Sequence, residues 1–294
     1  ATLEGAWLQN WILADRQQVR AVFRFRSPRV RAFVRLPEKL AANELEVLLE
    51  GRPVPFEILA GNRLAISIPE GNANKSQTVE LRYQRPARLS DWGSLSFRQP
   101  ILESRSSNTP VYWQLILPAN WHVYAEPEKL IGDYWLGWKD YRWGRQPNLY
   151  QAELERLTEA TPLPPPPESM NQYLFQTFQL TSEIKVSVLR RAWLVLGSTL
   201  LAFGIGLLCL YTQLVRRKEF WLILALALFA LVFSFPEVSL LIVQVILWGG
   251  VLTLMAAILR RFIVSPDSEP FRSSDLLTGL TAATESWSRA QINS

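Results

Sequence analysis

The chain has one histidine, His122, and one cysteine, Cys209. A lone cysteine excludes any disulfide within the chain, so the fold must be held by its apolar core. Two such residues are too few for a zinc site built on His and Cys. A serine triad would have to use His122, and no Gly-x-Ser-x-Gly element supplies a nucleophile. A phosphate-cradling loop is missing too, because the Gly71 to Ser76 stretch lacks the glycine spacing and a following helix. Charge of one sign is in modest excess, at a net +5 over 294 residues. These absences leave no catalytic, cofactor-binding or metal-binding residue to assign. His122 reads as a surface or satisfied side chain, and Cys209 as a small packing residue.

Carboxylates are less scarce. Glu126 and Glu128, or Asp133 and Asp140, lie among tryptophans. Glycosidases work with two carboxylates about 5 to 9 Å apart beside aromatic platforms. Nothing in the spacing places such a pair across a cleft, and the chain is read as not an enzyme.

What the sequence does have is three long apolar runs. Ala192 to Val215, Phe220 to Phe235 and Val238 to Leu259 carry no charged side chain. Arg216-Arg217-Lys218-Glu219 and Pro236-Glu237 separate them. A hydrocarbon core roughly 30 Å thick needs about 20 apolar helical residues at about 1.5 Å each. The first and third runs meet that length. The middle one spans if Trp221 and Phe235 sit near the interfaces. The expectation is a three-helix transmembrane anchor over 191–261 with a flexible cytoplasmic tail over 262–294. No ionisable residue falls inside a run, which argues against a transporter, pump or channel.

Orientation follows from the basic clusters. Arg216, Arg217 and Lys218 lie on the same side as Arg260 and Arg261 if all three runs span. Basic loops favour the cytoplasm. Arg190 and Arg191 are the counter-signal. The balance puts the N-terminal portion outside a bacterial inner membrane and the tail inside. Ser198, Ala202 and Gly206 recur every four residues in the first run, and Gly249, Thr253 and Ala257 in the third. Small residues at that spacing let helices approach closely. They read as packing of the anchor on itself, or as a docking face for another membrane protein. Gln244 offers a hydrogen bond across helices.

The residues ahead of the anchor alternate like strands. Val22, Arg24 and Arg26 share one strand face while Phe23 and Phe25 share the other. Short strands with turn signals such as Glu50-Gly51-Arg52-Pro53 predict a β-sandwich-like module over 1–90. Residues 91–190 read as a second, aromatic-rich β module. It holds a helix over 150–160 with Leu154 and Leu157 on one side, and a polyproline spacer over 162–167. Tyr173 to Thr181 and Glu183 to Leu189 read as a closing hairpin. The fold class is therefore mixed: an all-β extracytoplasmic region followed by the three-helix anchor. Ala1 to Leu13 already reads like the inside of a fold, which favours a segment of a longer protein.

Two groups are candidate contact residues. Trp121, Trp135, Trp138 and Trp143 are core or inter-domain packing, a lipid-facing belt, or a stacking platform for polysaccharide. Arg24, Arg26, Arg29 and Arg31 belong to a stripe read as the solvated face of two strands, or as a surface for an anionic partner.

Several stretches together carry a resemblance. They are Trp143-Gly144-Arg145-Gln146-Pro147, Gln151-Ala152-Glu153-Leu154-Glu155, Tyr173-Leu174-Phe175, and Pro236-Glu237 between two apolar runs. The whole resembles the C-terminal, membrane-anchored part of large envelope proteins of planctomycete-type bacteria, over most of residues 90 to 262. The resemblance implies a segment of a longer chain and an envelope location, and it implies no activity. The functional expectation is a structural or scaffolding protein of the envelope, with the lipid bilayer and envelope or membrane proteins as partners. The alternative is a polysaccharide-binding module on the aromatic platform. Nucleic acid and cofactors are not expected.

Overall fold

We describe the protein from a computed structural model covering residues 1–259 apart from 14, 70, 72–74, 105–108, 140–141, 212–217, 235–238 and 240–248. In chain order the first strands are β1 (Thr2–Ile12), β2 (Arg16–Arg26), β3 (Arg31–Arg35), β4 (Leu45–Leu49), β5 (Arg52–Pro53), β6 (Phe56–Leu59), β7 (Arg63–Ser67) and β8 (Ser76–Pro86). Then come β9 (Trp92–Arg98), β10 (Ile101–Leu102), β11 (Val111–Leu117), β12 (Trp121–Ala125), β13 (Ile131–Gly132), β14 (Tyr134–Lys139) and β15 (Arg142–Pro147). Helix α1 (Gln151–Thr158) precedes β16 (Asn171–Thr177) and β17 (Glu183–Arg190), and the helices α2 (Arg191–Tyr211), α3 (Lys218–Ser234) and α4 (Gly249–Leu259) follow.

The strands form an eight-stranded sheet in the order β13-β16-β11-β1-β2-β8-β4-β5. A four-stranded sheet runs β10-β3-β7-β6, a three-stranded one β12-β17-β9, and β14 pairs with β15. Side-chain alternation explains how the large sheet is used. Ala6, Leu8, Val19, Ala21, Phe23, Val79, Leu81, Trp113 and Leu115 point to one face and enter the main apolar core. A register shift between Leu3 and Gly5 brings Leu3 to that face as well. Val34 and Ile66 of the four-stranded sheet and Phe97, Val186 and Val188 of the three-stranded one complete the same core. Inside it Phe97, Trp113 and Phe175 stack in sequence, with ring centroids 5.5 and 5.4 Å apart.

That core corrects the predicted boundary at residue 90. Strands on both sides of it share one sheet, because β1 pairs in parallel with β11 from Ala6 opposite Val111 to Trp11 opposite Ile116. A parallel pair needs a long connection between its strands, so local periodicity carries no sign of it. The predicted closing hairpin is also revised. β16 pairs with β11 and β13, whereas β17 pairs with β12 and β9, so the turn near Ser182 carries the chain from one sheet to another.

The other face of the eight-stranded sheet presents Trp7, Gln9, Arg20, Val22, Glu80 and Gln114, and α1 lies over it. Trp7, Val22, Leu154 and Leu174 make a small apolar cluster there. The helix starts where the Glu153 carboxylate accepts from the Tyr150 N–H at 2.7 Å. It stops where Glu159 turns left-handed at φ 54° and Ala160 donates to the Glu155 carbonyl at 2.9 Å. Leu154 is fully buried, whereas Leu157, three residues on along the same side, is 51% exposed. The proline run has no regular element, as four consecutive prolines dictate, yet it is not a free spacer. The Leu163 N–H donates to Glu155 at 3.1 Å, and the Gln151 amide donates to the Leu163 carbonyl at 3.1 Å.

Arg20 holds this cover in place. Its guanidinium donates to Glu80 at 2.7 Å, to Glu155 at 2.8 Å and to the Thr161 carbonyl, and stands 4.7 Å from the Trp7 ring. All three ionised side chains are nearly sealed from water. The arginine stripe is thus only partly the solvated face expected, because α1 covers its centre. Burial pushes the Glu80 carboxyl up, but hydrogen bonds and charge from Arg20 and Arg82 outweigh it and hold it below the ordinary 4.5.

Beyond β17 the helices carry small residues at their contacts. A side chain on Gly206 would run into Thr253, and one on Gly249 would come within 2.6 Å of the Ala202 methyl. Thr253 satisfies its hydroxyl on the Gly249 carbonyl at 2.9 Å, and buried Ser198 does so on the Leu194 carbonyl. Ala257 is half-buried. Among the described residues, one helix is long and apolar enough to cross a membrane, over Arg191–Leu208, with shorter apolar helices at Glu219–Ala230 and Gly249–Leu259. Much of the third apolar run, including Gln244, and the predicted tail lie outside the described residues.

Arg20→Ala leaves buried Glu155 without its cation and Glu80 with Arg82 alone, and should lower stability by about 3–5 kcal/mol in denaturant titration. Arg20→Met with Glu80→Leu and Glu155→Leu should recover much of that loss. Because the Glu80 pKa is depressed on folding, its contribution is present above about 4.5 and is lost as pH falls through the folded value. Glu80→Gln should flatten that acidic limb of the melting-temperature profile.

Candidate functional site

The strands place the candidate residues in separate regions. Trp135, Trp138 and Trp143 lie on the β14–β15 hairpin, where Trp138 is opposite Trp143 and Trp135 is opposite Gln146. Trp135 is 53% exposed. Trp121 lies elsewhere, in β12 of the three-stranded sheet, half-buried against the main core. The four tryptophans therefore do not share one element.

The arginines are divided as well. Arg24 pairs with Glu159 at 2.9 Å and lies 3.7 Å from Glu4, and Arg26 pairs with Glu4 at 3.0 Å. Their charge is thereby largely matched within the protein. Arg31 stands exposed at the start of β3, and Arg29 stands exposed in the bend before it.

The hairpin itself supplies an arginine, in β15, that the aromatic pattern does not single out. The Arg145 guanidinium is 3.5 Å from the Tyr134 ring centroid and 5.0 and 5.3 Å from those of Tyr173 and Phe175. Its side chain is 6% exposed, and Glu126 approaches it at 3.9 Å. A planar cation against aromatic faces is favourable and ties the hairpin to β16. Asp133 accepts from the Asn148 amide at 2.6 Å, while Glu128 stands exposed. Asp140 lies outside the described residues. Glu126 and Asp133 thus have structural partners on the β15 side of the hairpin. Among the described residues, no group of three or more His, Cys, Asp or Glu is placed to hold a metal ion.

A cleft of about 280 Å³ opens between the four- and three-stranded sheets, lined by Arg35, Arg98, Gln99, Ile101, Ser182 and Glu183. The Ser96 hydroxyl donates to Glu183 at 2.7 Å and, with the nearby Lys185 and Arg98 charges, holds its carboxyl below the ordinary value.

His122 is a core residue of β12 with 9% exposure, and its Nδ1 lies 3.4 Å from the Tyr173 hydroxyl. That hydroxyl also accepts from the Val123 N–H at 3.2 Å. Burial, and then the Arg191 charge, push the imidazole down to about 4. It is neutral near pH 7 and serves packing between β12 and β16.

The unfolded histidine takes up its proton near 6.5, whereas the folded one does so only near 4. Its contribution to stability is therefore complete above 6.5 and is lost between 6.5 and 4, by roughly 3 kcal/mol in total. His122→Gln should remove the slope of the melting temperature over that window and leave the limb below it unchanged.

No family model matches the chain, and a comparison with curated proteins finds no match. Among solved structures, the M1 zinc metallopeptidase from Deinococcus radiodurans aligns with 64% of this chain and 41% of its own, at 10% identity and a TM-score of 0.38. Yeast LTA4 hydrolase aligns with 63% of this chain and 28% of its own, at 10% identity and a TM-score of 0.33. The chain thus spans less than half the length of either protein, and a likeness of this degree assigns it no activity.

Proposed function

We propose that the chain is a membrane-anchored scaffold of the cell envelope, without catalytic activity, that presents a sandwich-like β body to protein partners outside a bacterial inner membrane. The observation that carries this reading is the direct passage from β17, which ends at Arg190, into α2, which starts at Arg191 and is long and apolar enough to cross a bilayer. The β body and the helix are consecutive without a spacer, so force or position at one is felt at the other.

The anchor is read as three helices over 192–215, 220–235 and 238–259. The tight fit of Gly206 to Thr253 and Gly249 to Ala202 supports close packing of the first against the third. At 17 residues, α3 is about 25 Å long, enough to cross with its ends in the interfaces. The basic residues at 216–218 and 260–261 favour the cytoplasm. The engagement of Glu126, Asp133, Glu80 and Glu155 with donors supports a structural use of these carboxylates.

Mild-detergent purification from native membranes should bring down a fixed set of membrane or envelope proteins at constant ratio. Recovery of the chain alone, or with polysaccharide only, contradicts the scaffold. Retention on envelope polysaccharide should be unchanged by Trp135→Ala with Trp138→Ala; its collapse would favour a glycan-binding module. In a Cys209→Ser background, Glu237→Cys should react with an impermeant thiol reagent from outside the cell and Lys218→Cys should not. The reverse pattern would overturn the orientation.

A further inference from the structure

The junction between β17 and α2 is more than a tether. Two neighbouring turns are fastened to it through the backbone. The Arg190 N–H donates to the Asp91 carbonyl at 3.0 Å, and the Arg191 N–H donates to the Asn120 carbonyl at 2.7 Å. The Arg190 side chain adds an ion pair with Asp91 at 3.2 Å. Strands β9 and β12 flank β17 here, with Trp92 opposite Leu189 and Trp121 opposite Arg190. Trp92 is 71% exposed although it lies in a sheet, and Trp193, in the first turn of α2, is 53% exposed. Exposed tryptophans thus stand on both sides of the residue at which the chain turns from strand to helix, beside Arg190 and Arg191.

Geometry states how far from the bilayer they can be. Leu189 is two residues before Arg191, about 7 Å along an extended strand. The interfacial layer of one leaflet is roughly 5–8 Å thick, half the difference between the whole bilayer and its hydrocarbon core. A residue paired with Leu189 therefore lies at headgroup depth when α2 enters the hydrocarbon. Tryptophan gains most in that layer, since its ring is apolar and its N–H is polar, and arginine there meets lipid phosphates.

We propose that the junction end of the three-stranded sheet is seated in the lipid headgroup layer, with Trp92 and Trp193 as its anchors and Trp121 beside them. The proposal rests on the reading of α2 as a membrane span. The occupant of this surface is the bilayer itself, because the same chain enters the bilayer one residue beyond the strand. Its consequence is mechanical: the β body stands on the membrane at a set height and does not swing on a tether.

The test uses the full chain with Cys209→Ser, reconstituted in nanodiscs of phosphatidylcholine and phosphatidylglycerol. Single cysteines carry an environment-sensitive fluorophore at Ser90→Cys beside Trp92, at Ser182→Cys just beyond the far end of β17, and at Leu201→Cys within α2. Ser182 is eight residues from Arg190, about 26 Å along the strand. The probe at 90 should be blue-shifted and quenched by headgroup nitroxide several-fold more than the probe at 182. Trp92→Ala with Trp193→Ala should reduce that quenching. The probe at 201 should be quenched by acyl-chain nitroxide. Equal, weak quenching at 90 and 182 with strong quenching at 201 overturns the seated sheet and leaves the anchor standing. Absence of quenching at 201 overturns the membrane reading together with the proposal.

Discussion

A guanidinium sealed beneath an eight-residue helix is the constraint on which the rest of the body depends. The eight-stranded sheet needs cover on both faces. The main core supplies one face in full, but α1 offers Leu154 as its one fully buried leucine to the other. So small an apolar cover leaves polar side chains of the sheet inside. Arg20 resolves this by joining β8 through Glu80, α1 through Glu155 and the following segment through the Thr161 carbonyl. Gln9 extends the pattern, donating to Gln114 at 3.1 Å and Gln151 at 3.2 Å. Such a network contributes little net stability against an apolar alternative, but it penalises every arrangement in which one partner is displaced. It therefore fixes where the segment after β15 lies more than how tightly the sheet folds.

From that placement the route into α2 follows. The covering segment is held against the sheet, so β16 re-enters the same sheet beside β11, and the chain crosses to β17 in the smaller sheet. β17 is the central strand of its sheet, bonded on both edges, and it runs straight into α2. A central strand is a stiff support.

Legibility in the sequence divided along physical lines. Features set by neighbours a few residues away were readable. Val22, Arg24 and Arg26 do alternate with Phe23 and Phe25, the proline run forms no regular element, and α1 lies within the expected 150–160. Features set by distant partners were not readable. Nothing local announces that β1 pairs with a strand 105 residues away, or that Tyr173 to Thr177 joins the large sheet and not Glu183 to Leu189. Arg20 and Arg24 have the same spacing and the same kind of neighbours, yet one is sealed and the other partly open, because the end of α1 falls between them. The packing of Arg145 is illegible for the same reason: its aromatic partners come from 134, 173 and 175, of which only the first is near in sequence. The exposure of Trp135 and the burial of His122 likewise depend on packing that composition does not encode.

Residues on both sides of position 90 make one cooperative body. Native-state amide hydrogen exchange on the chain in detergent tests it most directly. Core amides of β8, from the first half, and of β11, from the second, should exchange with a common opening free energy, because two strands of one continuous sheet lie between them. Exchange of β11 and β16 through their own lower-energy opening, with β1, β2 and β8 still protected, would contradict it and restore two independent modules.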